Sequence, residues 1–231
     1  MRLRIHPMKP NPATAGERTA RAVAATALAA AAGTALALAP AAQAAPLPAT
    51  AATASAPRAT APAFLAADEL PPHRWSEWTA HPVARGLPDP EPFCAEGVLP
   101  EAGAAHRLFT TEFDTGATQV VVRTRSTGAA KKLAAALEKA VRGCADRVER
   151  EHPEATAVWR DYGSLDAEEG AHVLGVGTSF PESSRDAHLF GIGRDGRTVT
   201  LVAWGEMGTL DGAPVTAFRE TTATAVHKLY R

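Results

Sequence analysis

HLFGIGRDGRTVTLVAW, residues 188–204, holds two runs of strand-forming residues around an Asp195-Gly196 pair. His188–Gly193 and Thr198–Trp204 are rich in β-branched and aromatic side chains. Arg194-Asp195-Gly196-Arg197 between them is a turn, because Asp-Gly accepts the positive φ angles that a tight hairpin needs. A tight hairpin joins antiparallel neighbours, so this stretch sets the character of the sheet.

Upstream, Ala155–Asp161 and His172–Phe180 are two further strands, separated by the acidic loop Asp166-Ala167-Glu168-Glu169-Gly170. His106–Phe113 and Thr118–Thr124 form another hairpin around Asp114-Thr115-Gly116. Between the two strand groups the period changes. Ala130, Leu133, Leu137, Val141 and Cys144 recur in steps of three and four, which predicts a helix capped by Ser126 or Thr127 and running to about Arg147. Lys131, Lys132, Glu138, Lys139 and Arg142 form its solvated side. A last helix starts near Asp211 with Pro214 in its first turn, and Val215, Phe218, Thr222, Val226 and Leu229 form its inner stripe. The expected fold class is α+β: an antiparallel sheet of about six strands packed against two long helices, a two-layer sandwich. Before the first hairpin, 64–70 predicts a short helix stopped by Pro71-Pro72, 73–92 an ordered loop, and 93–99 one helical turn carrying Cys94.

The first 44 residues have the make-up of a secretory signal. Arg2, Arg4, Lys9, Arg18 and Arg21 precede an uncharged, alanine-rich stretch from Ala22 to Ala39, then Ala42-Gln43-Ala44, with cleavage expected after Ala44. No Arg-Arg pair is present, so the export route stays open. Residues 45–63 are Ala, Pro, Thr and Ser with few large apolar side chains, which predicts a disordered linker ahead of a domain over 64–231. No later segment is apolar enough to span a membrane. The localisation expected is secreted, extracellular. In that compartment the two cysteines, Cys94 and Cys144, are expected to form one disulfide. It closes a loop of about 51 residues, worth roughly 4 kcal/mol in chain entropy.

Residues 1–44 carry 5 of the 24 basic and 1 of the 25 acidic residues, so the remainder has 19 against 24, a net charge of −5. A mildly acidic protein has no electrostatic footprint for nucleic acid or anionic lipid.

Three stretches carry a resemblance. Phe64-Leu65-Ala66-Ala67-Asp68-Glu69-Leu70-Pro71 is similar to the opening of the extracellular sensor domain of PknH-type receptor kinases and their secreted relatives. Val120-Val121-Val122-Arg123, leading into a helix that ends at Gly143-Cys144-Ala145, resembles the same group. So does the late hairpin Gly193-Arg194-Asp195-Gly196-Arg197-Thr198-Val199 before a terminal helix. The likeness spans roughly residues 64–230 and implies an antiparallel sheet against helices with a ligand-binding cleft. Those domains tend to have more cysteines than Cys94 and Cys144, and this chain holds no kinase, so the resemblance implies the binding module and not signalling across a membrane.

No reaction is announced by the motifs. Gly177-Thr178-Ser179-Phe180-Pro181 lacks the spacing of a nucleophile elbow. The histidines His73, His81, His106, His152, His172, His188 and His227 show no tight ligand spacing, so neither a metal nor another cofactor is expected. Asp161 and Glu206, near strand ends, are carboxylates that could do acid–base work only across a shared cleft. Catalytic residues are therefore assigned to none.

The aromatics carry the functional expectation. Trp75 and Trp78 sit in the proline-rich loop, Trp159 and Trp204 on strands. Gly175, Gly177, Gly191 and Gly193 thin one face of the sheet at alternate positions, which predicts a close backbone approach, a bulge or a groove. A groove on the face opposite the helices, with Trp159, Tyr162, Trp204 and Glu206 as binding residues, is the site expected. The function expected is a secreted, non-catalytic module that binds an extracellular small molecule, glycan or protein; the alternative is a secreted hydrolase with unrecognised catalytic residues.

Overall fold

The computed structural model describes residues 62–230 except 182 and 184. The signal segment and nearly all of the linker lie outside the described residues.

Among the described residues, eight strands and three α-helices make an α+β fold. β1 (Thr79–Ala80), β2 (Ala84–Arg85), β3 (Ala104–Thr110) and β4 (Gly116–Arg123) precede α1 (Thr127–Arg142) and α2 (Cys144–Glu151). β5 (Thr156–Leu165), β6 (Ala171–Ser179), β7 (Arg185–Asp195) and β8 (Thr198–Met207) follow, and α3 (Val215–His227) closes the chain. The sheet order is β1-β3-β4-β8-β7-β6-β5, with β2 also on β3, and each of these pairings is antiparallel. The four-strand meander β5–β8 thus returns to lie beside β4.

The β7–β8 hairpin forms where the sequence places it, but its turn is tighter. Asp195 pairs with Thr198, leaving only Gly196 and Arg197 in the loop. Gly196 takes φ +52°, as the first residue of a two-residue turn of the II′ kind requires.

The two-layer expectation is corrected. Leu174, Val176, Phe190, Ile192, Val199 and Leu201 pack against Ala130, Leu137, Val141 and Cys144 of α1 and α2. Their sequence neighbours Val173, Leu189 and Val202, with Trp204 further along β8, pack with Phe218 and Ala225 of α3. Adjacent strand residues point to opposite faces, so α1–α2 and α3 cover different sides of the sheet. The described residues form three layers. The reason is in the strands: β6, β7 and β8 carry side-by-side apolar pairs such as Leu189-Phe190 and Leu201-Val202, which demand cover on both faces.

Smaller departures have local causes. The helix expected to reach Arg147 stops at Gly143 and restarts at Cys144, because glycine is the weakest helix former after proline. Ser126 is the cap of α1, its hydroxyl accepting from the Ala129 N–H at 3.1 Å. Residues 64–70 hold only a three-residue 3₁₀ turn, Ala67–Glu69, and 93–99 form turns and no helix, with Cys94 at φ +66°. The 73–92 loop contains β1 and β2.

Cys94 and Cys144 are bonded to each other, both buried, with Cα atoms 5.5 Å apart. The bond ties the loop ahead of β3 to the start of α2.

On the other face, residues 63–70 form a strap between α3 and the sheet. Leu65 is fully buried; its N–H donates to Gln119 Oε1 at 2.8 Å and its carbonyl accepts from Arg107 Nη1 at 2.8 Å. Gln119, itself buried, donates onward to Thr200 Oγ1 at 3.2 Å. Thr221 Oγ1 donates to the Glu69 carbonyl, Lys228 pairs with the Glu69 carboxylate, and the Ala63 N–H donates to the Lys228 carbonyl at 3.0 Å. These bonds satisfy the polar groups that an irregular segment carries into the interior.

Candidate functional site

The glycine face is filled. A Cβ at Gly191 would stand 2.7 Å from Thr222 Cγ2, and one at Gly193 would run into Val226, both on α3. A Cβ at Gly175 would stand 2.7 Å from the Tyr162 ring, and one at Gly177 3.3 Å from Leu210. The glycines therefore permit close approach of α3 and its neighbours, and the open groove expected over them is absent.

The four expected site residues divide between the two faces. Trp159 pairs with Val176 and so lies on the α1 side, exposed, with the Arg142 guanidinium 5.6 Å from its ring. Trp204 is 3 % exposed on the α3 side, a core residue. Tyr162 packs over Gly175, and its carbonyl accepts from Arg219. Glu206, two residues beyond Trp204, shares its face. Trp159 and Trp204 therefore do not wall one groove, because an odd and an even offset on paired strands point apart.

Trp204 and Glu206 do meet other aromatics. They line a cleft of about 360 Å³ at one end of the sheet, together with Pro71, Pro72, His73, Arg74, Trp75, Trp78, Thr115, Gly212 and Pro214. The proline-rich loop builds its outer wall. Trp78 Nε1 donates to the Pro71 carbonyl at 2.7 Å, fixing the loop on itself. Ser76 Oγ accepts from the Glu112 N–H at 2.9 Å, and β1 anchors the exit on β3. The His73 ring lies 5.6 Å from that of Phe113. Trp75 projects at the rim, 71 % exposed, with Arg74 stacked 5.3 Å from its centroid. On the floor, the buried Thr115 hydroxyl donates to Glu206 Oε2 at 3.2 Å. Among the described residues Glu206 Oε1 has no protein partner.

Sequence reasoning placed Trp75 and Trp78 in the loop without assigning them, and missed His73, Arg74 and Thr115. The available signal was density: residues 71–78, PPHRWSEW, put two tryptophans and two prolines in eight positions.

Asp161 and Glu206 share no cleft, since Asp161 pairs with Leu174 on the α1 side. Asp161 belongs to a charged cluster at the β5–β6 edge. Its carboxylate accepts from His172 Nε2 at 2.6 Å, Gly163 N–H at 2.8 Å and Arg142 Nη1 at 3.1 Å. The His172 bond foremost, then the Gly163 N–H and Arg142, hold this carboxyl below the usual carboxylate range against partial burial. The other side of His172 faces Glu138, with Nδ1 3.6 Å from Oε2. Both ring nitrogens thus face carboxylates, and the cation position between Asp161 and Glu138 is filled by Arg142. The cluster fastens α1 to the sheet edge.

A second hollow of about 340 Å³ lies toward the α1 side, where Gly116 and Gly205 are cross-strand partners and Phe93, Leu108 and His188 form walls. The His188 ring sits 4.6 Å from Phe93, and burial holds its imidazole below the usual histidine range, opposed by nearby Asp186.

Compared with known proteins, the chain matches no family model and no curated protein.

Proposed function

We propose that this protein is a secreted, non-catalytic module that holds an extracellular small molecule, glycan or protein group in the cleft formed by Trp75, Trp78, Trp204 and Glu206. The observation that carries the reading is the construction of that cleft. Three tryptophans from two distant segments converge on a carboxylate with an unused oxygen, and one of them stands exposed at the rim. Exposing an indole has no benefit for the core, and a concave site with aromatic walls and a few polar groups is the usual form of a ligand site. The resemblance to extracellular sensor domains supports the same reading. A buried disulfide, and the lack among the described residues of any helix long and apolar enough to cross a membrane, are compatible with export. Native mass spectrometry of protein recovered from its own secretion medium tests the reading. Retained mass that disappears in Trp75→Ala supports it; the same mass in both proteins counts against the cleft.

The hydrolase alternative draws on one observation, the 2.6 Å bond between His172 and Asp161. It requires a nucleophile on the other ring nitrogen, and Glu138 faces that position. Hydrolysis of chromogenic esters or glycosides that vanished in His172→Gln would favour it.

A further inference from the structure

Resting on the cleft reading above, we infer that the ligand is a neutral, polyhydroxylated ring: a saccharide of one or two residues. Charge comes first. The cleft carries one guanidinium, Arg74, and one carboxylate, Glu206. A cationic ligand meets Arg74 and an anionic ligand meets Glu206, so either charge finds a like charge inside the same small space. A neutral ligand with both donors and acceptors can use both groups. Sugar hydroxyls donate to Glu206 Oε1, left over after Thr115 has taken Oε2, and accept from the guanidinium of Arg74.

Shape comes next. Arg74 lies over Trp75, yet that indole remains 71 % exposed, so its other face is open to solvent. A flat, rigid, open indole face beside polar groups fits the C–H face of a pyranose, whose rim of hydroxyls then reaches those groups. An acyl chain or an aromatic drug-like ligand would instead need an apolar enclosure, and this cleft sets His73, Arg74, Thr115 and Glu206 among its tryptophans and prolines, with Glu206 beside Trp204 on the floor. Size agrees. At about 360 Å³ the cleft is near the lower end of the range for ligand sites, roughly 300–1,000 Å³, which limits it to one or two rings.

The experiment is isothermal titration with tryptophan fluorescence, using cellobiose, maltose and N,N′-diacetylchitobiose as neutral probes. Galacturonate and tetramethylammonium serve as the anionic and cationic ones. At least one neutral disaccharide is expected to bind and to shift tryptophan emission, with affinity unchanged between about 50 and 500 mM salt. Trp75→Ala and Glu206→Gln are each expected to weaken it by about tenfold or more. Both residues lie outside the packed core, so circular dichroism should match the parent. Trp75-dependent binding of galacturonate or tetramethylammonium without any neutral saccharide overturns the ligand class while leaving the cleft as the site. Saccharide binding that both variants retain overturns the assignment to this cleft. No binding of any probe, together with no mass retained from secretion medium, overturns the class and the cleft together.

Discussion

Gly191 on β7 lies directly beneath Thr222 on α3, close enough that an added methyl would stand 2.9 Å from Thr222 Cβ. Thr222 is fully buried and its hydroxyl is committed to the Phe218 carbonyl at 2.8 Å, so it has little room to yield. Gly191→Ala is expected to destabilise the fold by about 1–3 kcal/mol through overpacking. Gly177→Ala meets the Leu210 side chain at 3.3 Å and Val158 Cγ2 at 3.5 Å, both looser contacts, and should cost less. Urea denaturation of the two variants gives the comparison; equal midpoints would refute the close docking of α3.

Two of the three tryptophans of the cleft should separate cleanly by stability. Trp204 is 3 % exposed and packs in the α3-side core, so Trp204→Ala is expected to cost about 3–5 kcal/mol. Trp75→Ala removes a rim residue and should change stability by no more than about 0.5 kcal/mol. Thermal melts of both variants decide it, and a Trp204→Ala protein as stable as its parent would mean that the floor of the cleft is not core.

Cutting the disulfide has a predictable size. The Cys94–Cys144 bond spans 50 positions, and Cys144→Ser is expected to lower stability by roughly 4 kcal/mol through the entropy regained by the unfolded chain. Reduction of the parent with thiol should reproduce the fall in melting temperature. A fall in the variant without one in the reduced parent would assign the effect to packing.

Two groups act on stability in different pH windows. The folded-state pKa of His188 is depressed by burial, so its contribution is present above the unfolded value of about 6.5 and lost as pH falls through the folded value. Asp161 is depressed too, so its contribution is present above about 3.9 and lost only in strong acid. His188→Phe should flatten the pH dependence just below 6.5, and Asp161→Asn should flatten it below about 4. Chemical denaturation between about pH 2 and 8 measures both; interchanged windows would contradict the environments described here.

How far these features were legible follows from what a local pattern encodes. The β7–β8 hairpin was readable because Asp195 and Gly196 carry turn chemistry in adjacent residues. The stripe Phe218, Thr222, Val226 on α3 was readable because it repeats every four positions, and all three are buried. The face that α3 covers was not in that stripe, which says that a helix is buried and not against what. The missing information sat in the strands, where Leu189-Phe190 and Leu201-Val202 signal a sheet covered twice. β1 and β2, two residues each, fall below any periodicity. At the site, the strand positions of Trp159 and Trp204 were right, but their faces depended on pairing register between β5, β6, β7 and β8. The cleft joins residues 71–78 to Thr115 and Glu206, and no spacing in the chain announces so distant a meeting.

The strap's outermost bond has a topological meaning. Because the Ala63 N–H reaches the Lys228 carbonyl at 3.0 Å, the domain is close to a ring. Its order of synthesis is then one of several that would describe the same object. A short linker across that junction, with the chain reopened at the exposed Pro153-Glu154 connection, would leave every strand pairing in place and make α2 the new carboxyl end.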